Sequence, residues 1–248
     1  MKYPIFLIFV LAIVFPLAAQ TGDASAFTAE DCKPMIIVCN LSRDNVNIMI
    51  GDDETTVFYT DNLQEFDTTA LVSVDYTGTY TLYDMYPEDW DWLPMYRSET
   101  EEEYTVTLRE GKILALLITP DNDVYDFELS YNYNGYGKVM FANLSEYNMA
   151  MMEVAKEFGD HNVVWSQNLN YYTLSNFGDA PSGSYGLFWQ TSEMLEDEDY
   201  YFYPDDDGNP EMKEVTWGKW YQMMVYDKDG KSTCTFFDIT PEQSFLKE

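Results

Sequence analysis

The chain has 248 residues, of which 13 are basic and 44 acidic, giving a formal charge of −31. Apolar residues make up 46% and aromatics 17%, with 21 Tyr, 15 Phe and 6 Trp, so there is enough to bury a core and wholesale disorder is excluded. No nucleic-acid partner is expected, because phosphate contacts need Lys or Arg and the acidic field repels polyanions, and the same argument counts against docking on anionic lipid.

Lys2 precedes an apolar run from Ile5 to Val14, and small residues follow at Ala18 and Ala19. A positive start, a short apolar stretch and a small-residue end describe a secretory signal, too short for a membrane span. Cleavage is expected after Ala19, with Ala24-Ser25-Ala26 as a second possible site. This assigns residues 1–19 to a signal peptide and 20–32 to a leader. The chain is then periplasmic or secreted and not membrane-inserted after cleavage.

Self-comparison exposes a repeat. Met35-Ile-Ile-Val-Cys-Asn-Leu-Ser42 aligns with Lys138-Val-Met-Phe-Ala-Asn-Leu-Ser145, and Asn62-Leu63 with Asn168-Leu169. Gly78-Thr-Tyr80 then aligns with Gly183-Ser-Tyr185, and Gly111-Lys112 with Gly218-Lys219. Residues 33–131 and 138–240 are therefore read as two copies, joined by the Gly-rich linker 132–137 and followed by a short tail, 241–248. Short runs rich in β-branched and aromatic residues, punctuated by turn residues, make each copy all-β. Asp227-Lys-Asp-Gly230 is a strong hairpin signal. The expected architecture is two tandem immunoglobulin-like antiparallel β-sandwich domains. Glu146 to Phe158 would pass for a helix alone; its repeat partner Asn45 to Ile50 alternates like a strand, and the repeat decides for strand. Thr240-Pro241-Glu242-Gln243 carries helix-start chemistry, so at most one C-terminal helical turn is expected.

Catalytic chemistry finds little support. The single histidine, His161, falls in a polar Gly-Asp-His-Asn turn and is read as a solvated turn residue. Gly178-Asp179-Ala-Pro-Ser182 loosely resembles the nucleophile block of SGNH-type esterases, but no histidine follows it. Asp205-Asp-Asp-Gly-Asn209 has its glycine in the wrong place for an EF-hand. No enzyme activity, catalytic residue, cofactor or built metal site is expected. Cys32, Cys39 and Cys234 permit at most one disulfide; Cys39 reads as a small buried hydrophobe, and Cys32–Cys234 is the pairing left open. Asn40-Leu-Ser42 and Asn143-Leu-Ser145 fit the glycosylation sequon, yet their shared place in the repeat is sufficiently explained by structure.

Each copy carries its longest unusual segment between the Gly-x-Tyr and Gly-Lys strands. One runs from Asp84 to Glu103 and the other from Glu193 to Glu214, and together they hold 18 of the 44 acids. Their aromatics, Trp90, Trp92, Tyr96, Tyr200, Tyr201 and Tyr203, are the candidate binding residues, suited to stacking on a neutral or cationic glycan or to a basic protein surface. The competing account folds these rings back over their own sandwich.

The repeat signature, Asn-Leu-Ser after a hydrophobic strand, Gly-x-Tyr-x-Leu, then Gly-Lys before an apolar strand, resembles the tandem β-sandwich module of AlgF-like periplasmic proteins. That is the accessory family of alginate O-acetylation. The resemblance implies a non-enzymatic adaptor in cell-envelope or exopolysaccharide O-acetylation, linking membrane and soluble acetyltransferase components through protein partners. The alternative function is a carbohydrate-binding module using the aromatic loops.

Overall fold

The structure is a computed structural model, describing residues 28–42, 44–86, 91–97, 100–131, 134–194 and 199–247. The signal peptide, most of the leader and Trp90 lie outside the described residues.

Among the described residues the first half contributes ten strands. β1 is Met35–Asn40, β2 Ile48–Gly51, β3 Thr56–Tyr59, β4 Asp67–Thr68 and β5 Val72–Ser73. They are followed by β6 at Gly78–Tyr86, β7 at Asp91–Pro94, β8 at Thr105–Leu108, β9 at Ile113–Ile118 and β10 at Val124–Leu129. The second half repeats them. β11 is Gly137–Asn143, β12 Met149–Ala155, β13 Val164–Leu169, β14 Thr173–Leu174 and β15 Gly178–Ala180. Then come β16 at Gly183–Thr191, β17 at Tyr201–Phe202, β18 at Lys213–Val215, β19 at Trp220–Lys228 and β20 at Lys231–Asp238. The fold is all-β, and the segment around Met149 is a strand despite its helix-forming residues. Pairing overrides propensity here, since β12 is flanked by β13 and β16.

Each half is a sandwich of two five-stranded sheets with the same order in both copies. The inner sheets run β10-β9-β1-β4 and β20-β19-β11-β14, with β5 and β15 also on the first strand of each half. The outer sheets run β3-β2-β6-β7 and β13-β12-β16-β17, with β8 on β6 and β18 on β16. Each half contains one parallel pair, β1 with β9 and β11 with β19, within otherwise antiparallel sheets.

The two inner sheets pack face to face. Ile36 and Val38 of β1 point into the first sandwich, whereas Met35, Ile37 and Cys39 join Met140, Ala142, Trp220 and Met224 between the halves. In the second half Val139 and Phe141 point into the sandwich. Strands buried on both faces lose polar alternation, which is why Met35–Asn40 and Ile113–Ile118 read as unbroken apolar runs. The molecule is thus a stack of four sheets, and with sheets about 10 Å apart the two outer ones are separated by roughly 30 Å.

The repeat motifs hold the turns. Asn40 and Asn143 are fully buried, each using its side-chain amide to pin backbone carbonyls. Neither amide is free to carry a glycan. At the Asp229-Gly230 hairpin both residues have positive φ, 53° and 72°, as a tight type I′ turn requires.

The C-terminal segment forms no helical turn. The Thr240 hydroxyl accepts the Trp220 amide at 2.9 Å and is no longer available as an N-cap. The tail instead crosses to the first half, where Leu246 bridges Cys32 and the Lys33 amide donates to the Phe245 carbonyl at 2.7 Å. The Thr28–Cys32 end of the leader is also built into the fold, with a short helical turn at Ala29–Asp31.

No Cys32–Cys234 disulfide is present. All three thiols are free and buried, Cys32 between the halves and Cys234 inside the second sandwich. Burial pushes each thiol above its ordinary range, disfavouring the thiolate that reacts. A thiol reagent is therefore expected to find no reactive thiol in the native protein and three after denaturation. A rapidly labelled thiol in the native state would contradict this burial.

Candidate aromatic binding faces

The outer face of an outer sheet looks to water, so alternation calls for polar residues there. In the second half it carries aromatics instead. Residues opposite one another in a sheet share a face, and the register aligns Trp165 of β13 with Glu153 of β12, Glu153 with Phe188 of β16, and Phe188 with Phe202 of β17. Phe158 and Tyr200 lie above this row, stacked with ring centroids 3.9 Å apart and planes 7° off parallel. Trp165 remains 42% exposed and Tyr200 40%.

The segment between β12 and β13 covers the middle of the row. Its His161, at φ 52°, has its imidazole 4.8 Å from the Trp165 ring. Its Nδ1 lies 2.5 Å from Oε1 of Glu153, and the Gly159 amide donates to Oε2 at 2.7 Å. Glu153 is fully buried. His161 is the exposed turn residue expected, with its side chain 42% exposed, and it also contacts a buried carboxylate.

The first half has the same row in simpler form. Tyr59 of β3, Met49 of β2, Tyr83 of β6 and Pro94 of β7 occupy matching register positions, with Tyr59 64% exposed. Trp92, opposite Met85, is half-buried on this same face.

The sequence candidates are divided by this geometry. Trp92 and Tyr96 belong to the first half, and Tyr200, Tyr201 and Tyr203 to the second, on opposite sides of the stack, so the structure does not bring them together. Tyr96 is exposed beside a cavity of about 350 Å³ that also involves Arg97, Tyr104 and Tyr125. Arg97 lies over the Tyr104 ring, while burial and a hydrogen bond to Asp126 push the Tyr104 hydroxyl far above its ordinary range. Tyr201 stacks on the core residue Trp189, and Tyr203 packs against the same core under Lys213. These two rings extend the core edge, and Tyr200 alone of the three joins the outer row. Trp165, Phe158 and His161 were not among the candidates, because strand register places Trp165 and the folded β12–β13 segment places the other two on this face.

A second feature lies at the end of the second half. Tyr147, Tyr201, Glu146, Glu193 and Asp227 line an open cavity of about 450 Å³. The negative field there is felt at Tyr172, whose hydroxyl is raised first by burial and then by Glu146, Asp121 and Asp227.

Other motifs are structural. Asp179, in the esterase-like stretch, holds the buried Lys138 ammonium at 2.6 Å. Asp205 Oδ1 accepts the amides of Asp207 and Asn209, closing its own turn. Among the described residues no group of three or more His, Cys, Asp or Glu is placed to hold a metal ion, and no helix is long and apolar enough to cross a membrane.

No family model and no curated protein matches the chain. Among solved structures, it is similar to the tip fimbrial protein Mfa3 of Porphyromonas gingivalis with C-terminal truncation, at 8% identity over 83% of this chain and 98% of that chain, with a TM-score of 0.24. It is also similar to the family CBM26 module of Eubacterium rectale Amy13K, solved with maltoheptaose, at 11% identity over 86% of this chain and 99% of that one, TM-score 0.25. Both likenesses are too loose to bear on what this chain binds.

Proposed function

We propose that the protein is a non-enzymatic, exported glycan-binding protein that presents an aromatic sheet face on each side of the four-layer stack. The observation that carries this reading is the pair of exposed rings, Trp165 at 42% and Tyr200 at 40%, at the outer row Trp165–Glu153–Phe188–Phe202, whose middle is buried beneath Phe158 and its segment. Pyranose rings bury their apolar C–H faces on such rings, while a charge of −31 opposes self-association through the same surface.

Native electrophoresis through gels cast with neutral polysaccharides, namely starch, arabinoxylan, mixed-linkage β-glucan and galactomannan, tests the reading. Retardation by at least one is expected, weakened about tenfold or more by Trp165→Ala with Tyr200→Ala, the equivalent of at least ~1.4 kcal/mol of stacking. Unimpeded migration in all four gels would overturn it.

The polysaccharide O-acetylation adaptor is the narrower role that the AlgF-like resemblance implies, and it rests on that resemblance. Capture of an envelope acetyltransferase component, with no glycan bound, is the result that would bring it forward.

A further inference from the structure

The two halves supply an internal comparison. Their outer rows correspond in register and are both aromatic at the outside strand and at the centre, but Met49 and Pro94 in the first half are replaced by Glu153 and Phe202 in the second. The connection differs as well. Residues 52–55 join β2 to β3, whereas residues 156–163 join β12 to β13. The longer connection brings Phe158, Gly159 and His161, and each is placed by contact with the row: Phe158 on Tyr200, the Gly159 amide on Glu153, and His161 between Glu153 and Trp165.

A carboxylate fully buried between Trp165 and Phe188 is costly, and an apolar side chain of similar length would serve packing at least as well. The first half shows that the fold accepts methionine at this register. What the carboxylate adds is a pair of acceptors aimed at one loop. Oε2 accepts the Gly159 amide, and Oε1 lies 2.5 Å from His161 Nδ1 in an ion-pair contact that lacks hydrogen-bond geometry.

We infer that Glu153 is the positioning residue of the binding face in the second half: it clamps residues 156–163 onto the outer sheet, fixing His161 against Trp165 and Phe158 beneath Tyr200, so that this half carries the built glycan site and the first half only the bare row. The ligand class rests on the glycan reading above; the clamp itself does not.

The single histidine makes the clamp directly observable, because its imidazole protons give one set of NMR signals displaced by the ring current of Trp165. Spectra of each variant are recorded across a pH series and compared at the high-pH plateau that the series itself defines, so that protonation does not contribute. In Glu153→Met these signals are expected to move to free-histidine positions while Tm holds or rises, and retardation by the responsive polysaccharide is expected to fall tenfold or more. Glu153→Gln keeps an acceptor for the Gly159 amide and should shift the signals in the same direction by less; it decides the matter if the methionine variant does not fold. Signals unmoved in both variants would overturn the clamp. Signals moved with retardation unchanged would overturn the positioning role and leave the glycan reading standing. Signals moved in a protein that no polysaccharide retards would sink the glycan reading, and the built-site role with it, leaving a clamp on the loop alone.

Discussion

Asn143→Ala is expected to lower stability by about 4 kcal/mol, seen as a fall of roughly 10 °C in Tm. The Asn143 amide nitrogen donates to the carbonyls of Tyr147, Leu169 and Asn170 at 2.9, 3.0 and 2.9 Å, and its oxygen accepts the Ser145 amide and hydroxyl. Removing it orphans several backbone groups in a place water does not reach, each worth about 1–3 kcal/mol. Asn143→Asp should be no better, since the carboxylate cannot donate and would be buried as a charge. Asn40→Ala is expected to cost slightly less, because Asn40 reaches two carbonyls, Asp44 and Leu63, at 3.0 and 2.9 Å. Ser145→Ala removes fewer bonds and should cost about 1 kcal/mol. Chemical denaturation of the series checks the order; an Asn143→Ala protein within 1 kcal/mol of the parent, by the scale of ordinary surface changes, would show that these bonds are replaced by water.

The same residues explain how much of the fold could be read from the sequence. Asn-Leu-Ser and the later Asn-Leu are two ends of one device, since Asn40 bonds to the Leu63 carbonyl and Asn143 to that of Leu169. Asn62 and Asn168 both sit at positive φ, 58° and 54°, a conformation Asn tolerates, and Gly111 and Gly218 do so at 64° and 70°. Backbone geometry restricts residue choice at such points, so they persist in both copies and the alignment finds them. Packing between the copies leaves a weaker mark. Met35–Asn40 reads as a strand, and only its missing alternation says that both faces are buried. The aromatic faces were hidden for another reason. Trp165 and Tyr200 are 35 positions apart and meet one face through three strand pairings, while His161 reaches Glu153 only after the β12–β13 segment closes. Loop composition drew attention to Tyr201 and Tyr203, whose rings serve the core edge.

Trp220→Ala is expected to lower the stability of the whole chain by about 4 kcal/mol while leaving a single unfolding transition. Trp220 is 2% exposed between the halves and meets three rings edge-on: Tyr131 of the first half at 5.1 Å, Phe177 of the second at 5.0 Å and Phe245 of the tail at 5.7 Å. Truncation removes the ring and leaves a cavity that neither inner sheet can collapse to fill, since each is held by its own sandwich behind it. The coupling prediction follows from the burial of β1 and β9 on both faces. A first half standing alone would expose Met35, Ile37, Cys39, Ala115 and Leu117 as one apolar sheet face. Calorimetry should therefore give one transition with matching calorimetric and van't Hoff enthalpies. Leu82→Ala, deep inside the first sandwich and far from Trp220, should move that same transition downward. Two resolved transitions in the parent, with Leu82→Ala moving only one, would mean that the halves fold independently. A single shared transition would mean that the two outer sheets are held in a fixed relation, back to back, by the inner sheets packed between them.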